Sequence, residues 1–93
     1  MLQFKVVNMR YIRRLRGRGM AQHFEGPCRL IAIRNGSGPY TATGYVHLGY
    51  EARVLAMVEA SGEYSTQDEA LAAGISAARA AARRMMDAAE GIA

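Results

Sequence analysis

The chain has 93 residues, 51% of them hydrophobic and 22% charged, with ten glycines, two prolines and no tryptophan. That is material for one hydrophobic core and excludes a second. Arg, Glu or Gly interrupts every apolar run well short of the roughly eighteen residues that a membrane-spanning helix needs, so no spanning segment is predicted. The formal charge of +4 is unevenly placed: residues 1–18 hold six basic residues and no acid, and residues 19–93 hold six arginines against eight acids. The body is therefore mildly acidic, and the basic character belongs to a leader.

That leader runs Arg10-Tyr-Ile-Arg-Arg-Leu-Arg-Gly-Arg-Gly19. As a basic arm, Arg10, Arg13, Arg14, Arg16 and Arg18 would reach phosphates and bind nucleic acid in a salt-dependent way. As an amphipathic presequence or membrane-surface segment, it would set Leu2, Val6, Met9 and Ile12 on one stripe against the arginines. The reading adopted is that residues 1–19 stand outside the domain, disordered or not native, and that translation begins at Met20. Ala21 and a strand-forming stretch follow that methionine. Arg16-Gly-Arg-Gly19, moreover, has the composition of a purine-rich ribosome-binding sequence read as codons. The apolar patch of residues 1–8 precedes the arginines, the reverse of a secretory signal, and the single cysteine, Cys28, suits a reducing compartment. A cytoplasmic protein is expected.

Residues 20–93 are predicted to form a single α+β domain, a three-stranded antiparallel meander packed on one C-terminal α-helix (βββα). The first strand is placed at 27–34, where Leu30, Ile31 and Ile33 supply apolar bulk. Asn35-Gly-Ser-Gly-Pro39 is the clearest turn in the chain, because Asn-Gly tolerates the positive φ of tight hairpins. The second strand, 40–48, alternates: Thr41, Thr43, Tyr45 and His47 on one face, Ala42, Gly44, Val46 and Leu48 on the other. A third, 52–60, sets Val54, Ala56 and Val58 against Arg53, Leu55, Met57 and Glu59. Thr66 and Glu69 then form a capping box. The helix is expected to run to about Ala89, with Gly91 as its stop. Leu71, Ile75, Ala78, Ala82, Met85 and Ala89 make its apolar stripe, matched by the small sheet residues Ala42, Gly44 and Ala56, and Arg79, Arg83 and Arg84 fall on a solvated face.

So small a core makes a monomer marginal, and the other sheet face is too apolar for a purely solvated surface. Ile31, Ile33, Tyr45, Leu55 and Met57 are the predicted contacts of a homodimer or of a protein partner, through that face or an edge strand. The alternative is nucleic-acid binding by the leader or by a platform of Tyr45, Thr43, His47, Arg29 and Arg53.

No motif asks for catalysis. His23 and His47 have no Cys, Asp or Glu at a metal-ligand spacing, so neither a metal nor a cofactor is expected. Cys28 carries no nucleophile signature around it, and Gly36-Ser-Gly38 lacks the Gly-Lys-Thr/Ser and helix start of a phosphate cradle. The layout of residues 26–89, with Tyr64-Ser-Thr-Gln-Asp-Glu-Ala70 leading into the helix and Met20-Ala-Gln-His-Phe-Glu-Gly26 as a short start, resembles small uncharacterised proteobacterial domains. It is also similar to the partial double-stranded-RNA-binding-like fold of HicB antitoxins. The resemblance implies a βββα fold and, for the second family, an antitoxin-like role, and carries over no functional residue.

Overall fold

A computed structural model describes residues 19–36 and 38–92; the expectations for Arg10, Arg13, Arg14, Arg16 and Arg18 lie outside the described residues. Four strands, β1 (Met20–Glu25), β2 (Cys28–Arg34), β3 (Ala42–Leu48) and β4 (Ala56–Glu59), precede one helix, α1 (Gln67–Ile92). The strands form one antiparallel sheet in the order β1-β2-β3-β4. The α+β meander with a C-terminal helix is as expected, but the described sheet has four strands, not three.

The additional strand is β1, and its sequence explains why it is hard to read. Met20-Ala-Gln-His-Phe-Glu25 contains no β-branched residue, and its two alternating sets show little contrast in polarity. Its pairing is imposed by the turn that follows. Gly26 has φ +58, as the first central position of a type II′ hairpin loop requires, and Glu25 pairs with Cys28 across it. Pro27, expected to begin a strand, instead completes this turn.

The second hairpin falls where Asn-Gly placed it. Asn35 N–H donates to the Thr41 carbonyl at 3.0 Å, Asn35 Nδ2 donates to Thr41 Oγ1 at 3.2 Å, and Thr43 Oγ1 donates to Asn35 Oδ1 at 2.8 Å. The alternation of β3 holds through Val46, with Ala42, Gly44 and Val46 buried beneath the helix and Thr43, Tyr45 and His47 on the opposite face, while Leu48, expected with the first set, is exposed at the end of the strand. β4 begins at Ala56, not near Ala52. Leu55 N–H donates to the Val46 carbonyl at 2.7 Å, one position off the Val46–Ala56 pair, a bulge-like offset that ends regular pairing. Leu55 therefore packs against the helix-side core and leaves the face on which alternation had placed it.

Glu69 N–H donates to the cap, Thr66 Oγ1, at 3.1 Å. The Glu69 carboxylate returns to Ser65, one residue before the expected cap, accepting from its N–H at 3.3 Å and its hydroxyl at 2.9 Å. The helix continues through Gly91 to Ile92, so Gly91 is not its stop. One glycine costs about 1 kcal/mol against alanine, which the helix-favouring alanines before it outweigh. Leu71, Ile75, Ala78 and Ala82 are buried, Met85 is half-buried and Ala89 is exposed.

The helix lies directly on the sheet because two glycines face one another. A Cβ at Gly44 would run into the Gly74 carbonyl oxygen, and one at Gly74 would come within 2.8 Å of the Ala32 Cβ. Around this contact Leu30, Val46, Ala42, Ala70 and Ala78 are sealed. A second tie runs from the end of β1. Glu25 accepts from Arg79 Nε at 3.1 Å and from Arg83 Nε at 2.9 Å, so two of the three arginines assigned to solvent instead hold the edge strand to the helix.

Gly44→Ala should lower stability by about 1–3 kcal/mol through overpacking, and Leu30→Ala by about 2–5 kcal/mol through a cavity, both read from urea midpoints. The hydrogen bond from Arg83, aided by Arg79, holds the Glu25 carboxyl below its ordinary value of 4.5. Its stabilising contribution is accordingly present above that value and lost as pH falls through the folded-state pKa. Glu25→Gln should lower the urea midpoint at neutral pH and flatten its fall in acid.

Candidate interaction face

The helix covers one side of the sheet, and pairing arranges the other side in cross-strand rows. Met20, Ile33, Thr43 and Glu59 form one row, and Gln22, Ile31, Tyr45 and Met57 the next. Phe24, Arg29 and His47 form a shorter third. The rows divide by exposure. Met57 is 64% exposed, Phe24 45% and Ile33 38%, whereas Ile31 and Met20 are buried at 3% and 8% in a small second cluster with Tyr45 packed against it.

Of the five predicted contacts, the structure thus brings Ile33, Tyr45 and Met57 to the accessible part of one face. Ile31 lies on that face but beneath its surface, and Leu55 belongs to the core on the other side. Phe24 joins the surface from β1, and Tyr50 meets it edge to face, with ring centroids 5.8 Å apart. Phe24 was not anticipated because β1 was not; the signal that would have found it is Gly26-Pro27 read as a hairpin turn, which makes residues 20–25 a strand facing β2.

The cationic candidates are placed differently. Arg29 is 4% exposed; its Nε donates to the Gly49 carbonyl at 2.9 Å and its Nη2 to the Glu51 carbonyl at 3.1 Å. Its guanidinium carbon sits 5.6 Å from the Tyr50 ring centroid, within cation–π range. His47 is also buried, and its Nδ1 lies 3.1 Å from the same Glu51 carbonyl. A carbonyl only accepts, so Nδ1 carries the proton. Arg29 and His47 thereby pin the β3–β4 loop onto the sheet, and Thr43 is committed to Asn35. Arg53 is exposed on that loop, outside β4. Four of the five residues of the base-stacking platform, Thr43, Tyr45, His47 and Arg29, share this face, but two of them anchor a loop and one is tied to a hairpin, while Arg53 stands outside the sheet.

A scan of the chain against known protein families, curated proteins and solved structures finds no match in any of them. The chemistry must therefore be read from the residues themselves. Cys28 is buried in the helix-side core. Among the described residues no three His, Cys, Asp or Glu side chains gather in a metal-binding group, and no helix is long and apolar enough to cross a membrane. His23, Asp68 and Arg79 line an open groove of about 570 Å³ between β1 and α1, whose floor is Leu71 and Ile75; Arg79 is already engaged by Glu25.

Burial first, and the Arg29 charge second, hold the His47 pKa below its ordinary value of 6.5, against the opposing pull of the Glu51 and Arg53 backbone. The fold thus favours the neutral ring. Its contribution is fully present above the unfolded-state value near 6.5 and is lost as pH falls through the lower folded-state value, where a second cation would form against Arg29. The urea midpoint should decline as pH falls through the unfolded-state value near 6.5 towards the lower folded-state value, and His47→Gln should remove most of that decline. Equal slopes in the two proteins would show that the ring is not the titrating group.

Proposed function

We propose that this chain is a small non-enzymatic interaction domain that self-associates, or docks a protein partner, through the sheet face opposite the helix. The observation that carries the reading is that three large apolar side chains of that face, Met57, Phe24 and Ile33, are exposed on three of its strands, with Tyr45, the cross-strand partner of Met57, half-buried. A solvated sheet face would alternate to polar side chains there. Aromatic and methionine side chains are also the types enriched at the centres of protein interfaces. In the row of Phe24, the Arg29 and His47 anchors keep charge directed at the loop carbonyls and away from a partner. Such a surface can bury apolar area without stranding a cation, which favours a protein partner over a phosphate backbone.

The test is light scattering after size exclusion, on the full chain and on residues 20–93, with Met57→Lys and Ile33→Lys as surface variants. Each lysine should weaken a dimer at least tenfold, which is about 1.4 kcal/mol, while leaving the urea midpoint nearly unchanged. A monomer at every concentration would end the self-association reading. A dimer indifferent to both lysines would end the assignment to this face. A shift caused only by oligonucleotides, fading with salt, would move the function to nucleic-acid binding.

A further inference from the structure

Asn35-Gly36 is the one position in this fold where the backbone carries the chemistry to modify itself. An asparagine followed by glycine can cyclise, because the next residue has no Cβ to obstruct attack by its nitrogen on the side-chain amide. Both residues are exposed at the hairpin tip, and Gly36, at φ +54, has nothing within 4 Å of where its Cβ would be. No hydrogen bond from the Gly36 N–H forms among the described residues.

The asparagine, by contrast, is held from three directions. Its N–H is bonded to the Thr41 carbonyl, its Nδ2 donates to Thr41 Oγ1, and its Oδ1 accepts from Thr43 Oγ1. Both atoms of the amide are fixed by hydroxyls on the facing strand, so Cγ is not free to swing towards the Gly36 nitrogen.

We propose that Asn35 is a deamidation site whose rate is set by the two threonine hydroxyls, and that its conversion puts a negative charge at the margin of the open sheet face. Solvent hydroxide removes the Gly36 amide proton, and the nitrogen attacks Asn35 Cγ. The new N–Cγ bond forms as the Cγ–Nδ2 bond breaks, and Nδ2 leaves as ammonia with a proton from water. Water then opens the cyclic imide. Cleavage at Cγ yields an ordinary aspartyl residue, and cleavage at the main-chain carbonyl yields the isoaspartyl linkage. No oxidant or reductant is involved. In the aspartyl product the Thr43 hydroxyl still donates to the side chain, and the Thr41 hydroxyl can rotate to donate where it accepted. The isoaspartyl form lengthens the backbone at the hairpin and breaks its register.

The position gives the change a consequence. Thr43, which holds Asn35 Oδ1, is the cross-strand partner of Ile33, so the new charge arises beside an exposed apolar residue of that face. An effect on association rests on the open-face reading above, whereas the deamidation itself does not.

The full chain, with Thr41→Val and Thr43→Val variants and a urea-unfolded control, is to be incubated in heavy-oxygen water. Release of the tryptic peptide 35–53 and its mass spectrum report conversion at Asn35. Slow conversion in the folded chain, at least several-fold faster in the unfolded control and in either valine variant, is the expected result. Equal rates in the folded chain and both variants, with circular dichroism showing them folded, would overturn the role of the hydroxyls. Absence of label in the folded chain and both variants would overturn the site. Asn35→Asp, compared with the unmodified chain by light scattering, reads the effect on association separately: a dimer weakened several-fold is expected. An unchanged dimer would remove the consequence while leaving the modification, and a monomeric parent chain would remove only the open-face reading.

Discussion

The contact between Gly44 in the middle of β3 and Gly74 in α1 governs the geometry of the molecule. With no side chain on either, the helix approaches until backbone meets backbone, and the rest of the interface must then be small. This is why alanine dominates the helix-side core and why Leu30 and Val46 are the largest side chains sealed in it. Close approach compensates for the loss of bulk, since dispersion falls off steeply with separation. The arrangement is intolerant: an added methyl at the centre has no free volume to enter.

A core so thin leaves the edges of the sheet weakly held, and polar ties secure them. At the β1 edge, Glu25 is gripped by Arg79 and Arg83 from successive turns of the helix. At the other end of the sheet, Arg29 and His47 share the Glu51 carbonyl and keep the β3–β4 loop down, while Tyr64 N–H donates to the Tyr40 carbonyl and closes the chain against the start of β3. The side-chain ties use groups, Glu25, Arg79, Arg83, Arg29 and His47, that composition alone would assign to solvent or to a ligand. Because they use their charges within the fold, the open face is left to Met57, Phe24, Ile33 and Tyr45. The thin core and the apolar face have a common origin, since a single helix covers only one side of a four-stranded sheet.

Periodicity and turn chemistry carried much of this architecture in legible form. The two-residue alternation of β3, the Asn-Gly hairpin, the Thr66–Glu69 cap and the four-and-three spacing of Leu71, Ile75, Ala78 and Ala82 each reflect a local rule that tertiary context did not override. β1 was not legible, since Met20 to Glu25 has neither β-branching nor alternation and is a strand because β2 offers it hydrogen bonds. The length of β4 was not legible either: an alternating run from Ala52 is compatible with a strand until the off-register bond from Leu55 ends it. Of the candidate surface, Ile33, Tyr45 and Met57 could be named from parity alone, Ile31 was placed on the correct face at the wrong depth, and Phe24 awaited its strand.

By itself, the sequence determined the class of fold, the position of the principal hairpin, the start of the helix and the parity of the central strands, because these follow from torsional preference and side-chain spacing within a few residues. It also determined that charge is concentrated ahead of residue 19, with a mildly acidic body after it. Only the tertiary structure decided which arginines are spent on internal carbonyls and carboxylates, where Leu55 points, and which apolar residues of the second face remain accessible. Those properties depend on contacts beyond the reach of local propensity, nine positions apart between Leu55 and Val46 and 20 or more between Arg29 and Gly49 or Glu25 and Arg79. No local propensity encodes such a contact, because its partners meet only once the sheet and helix have come together.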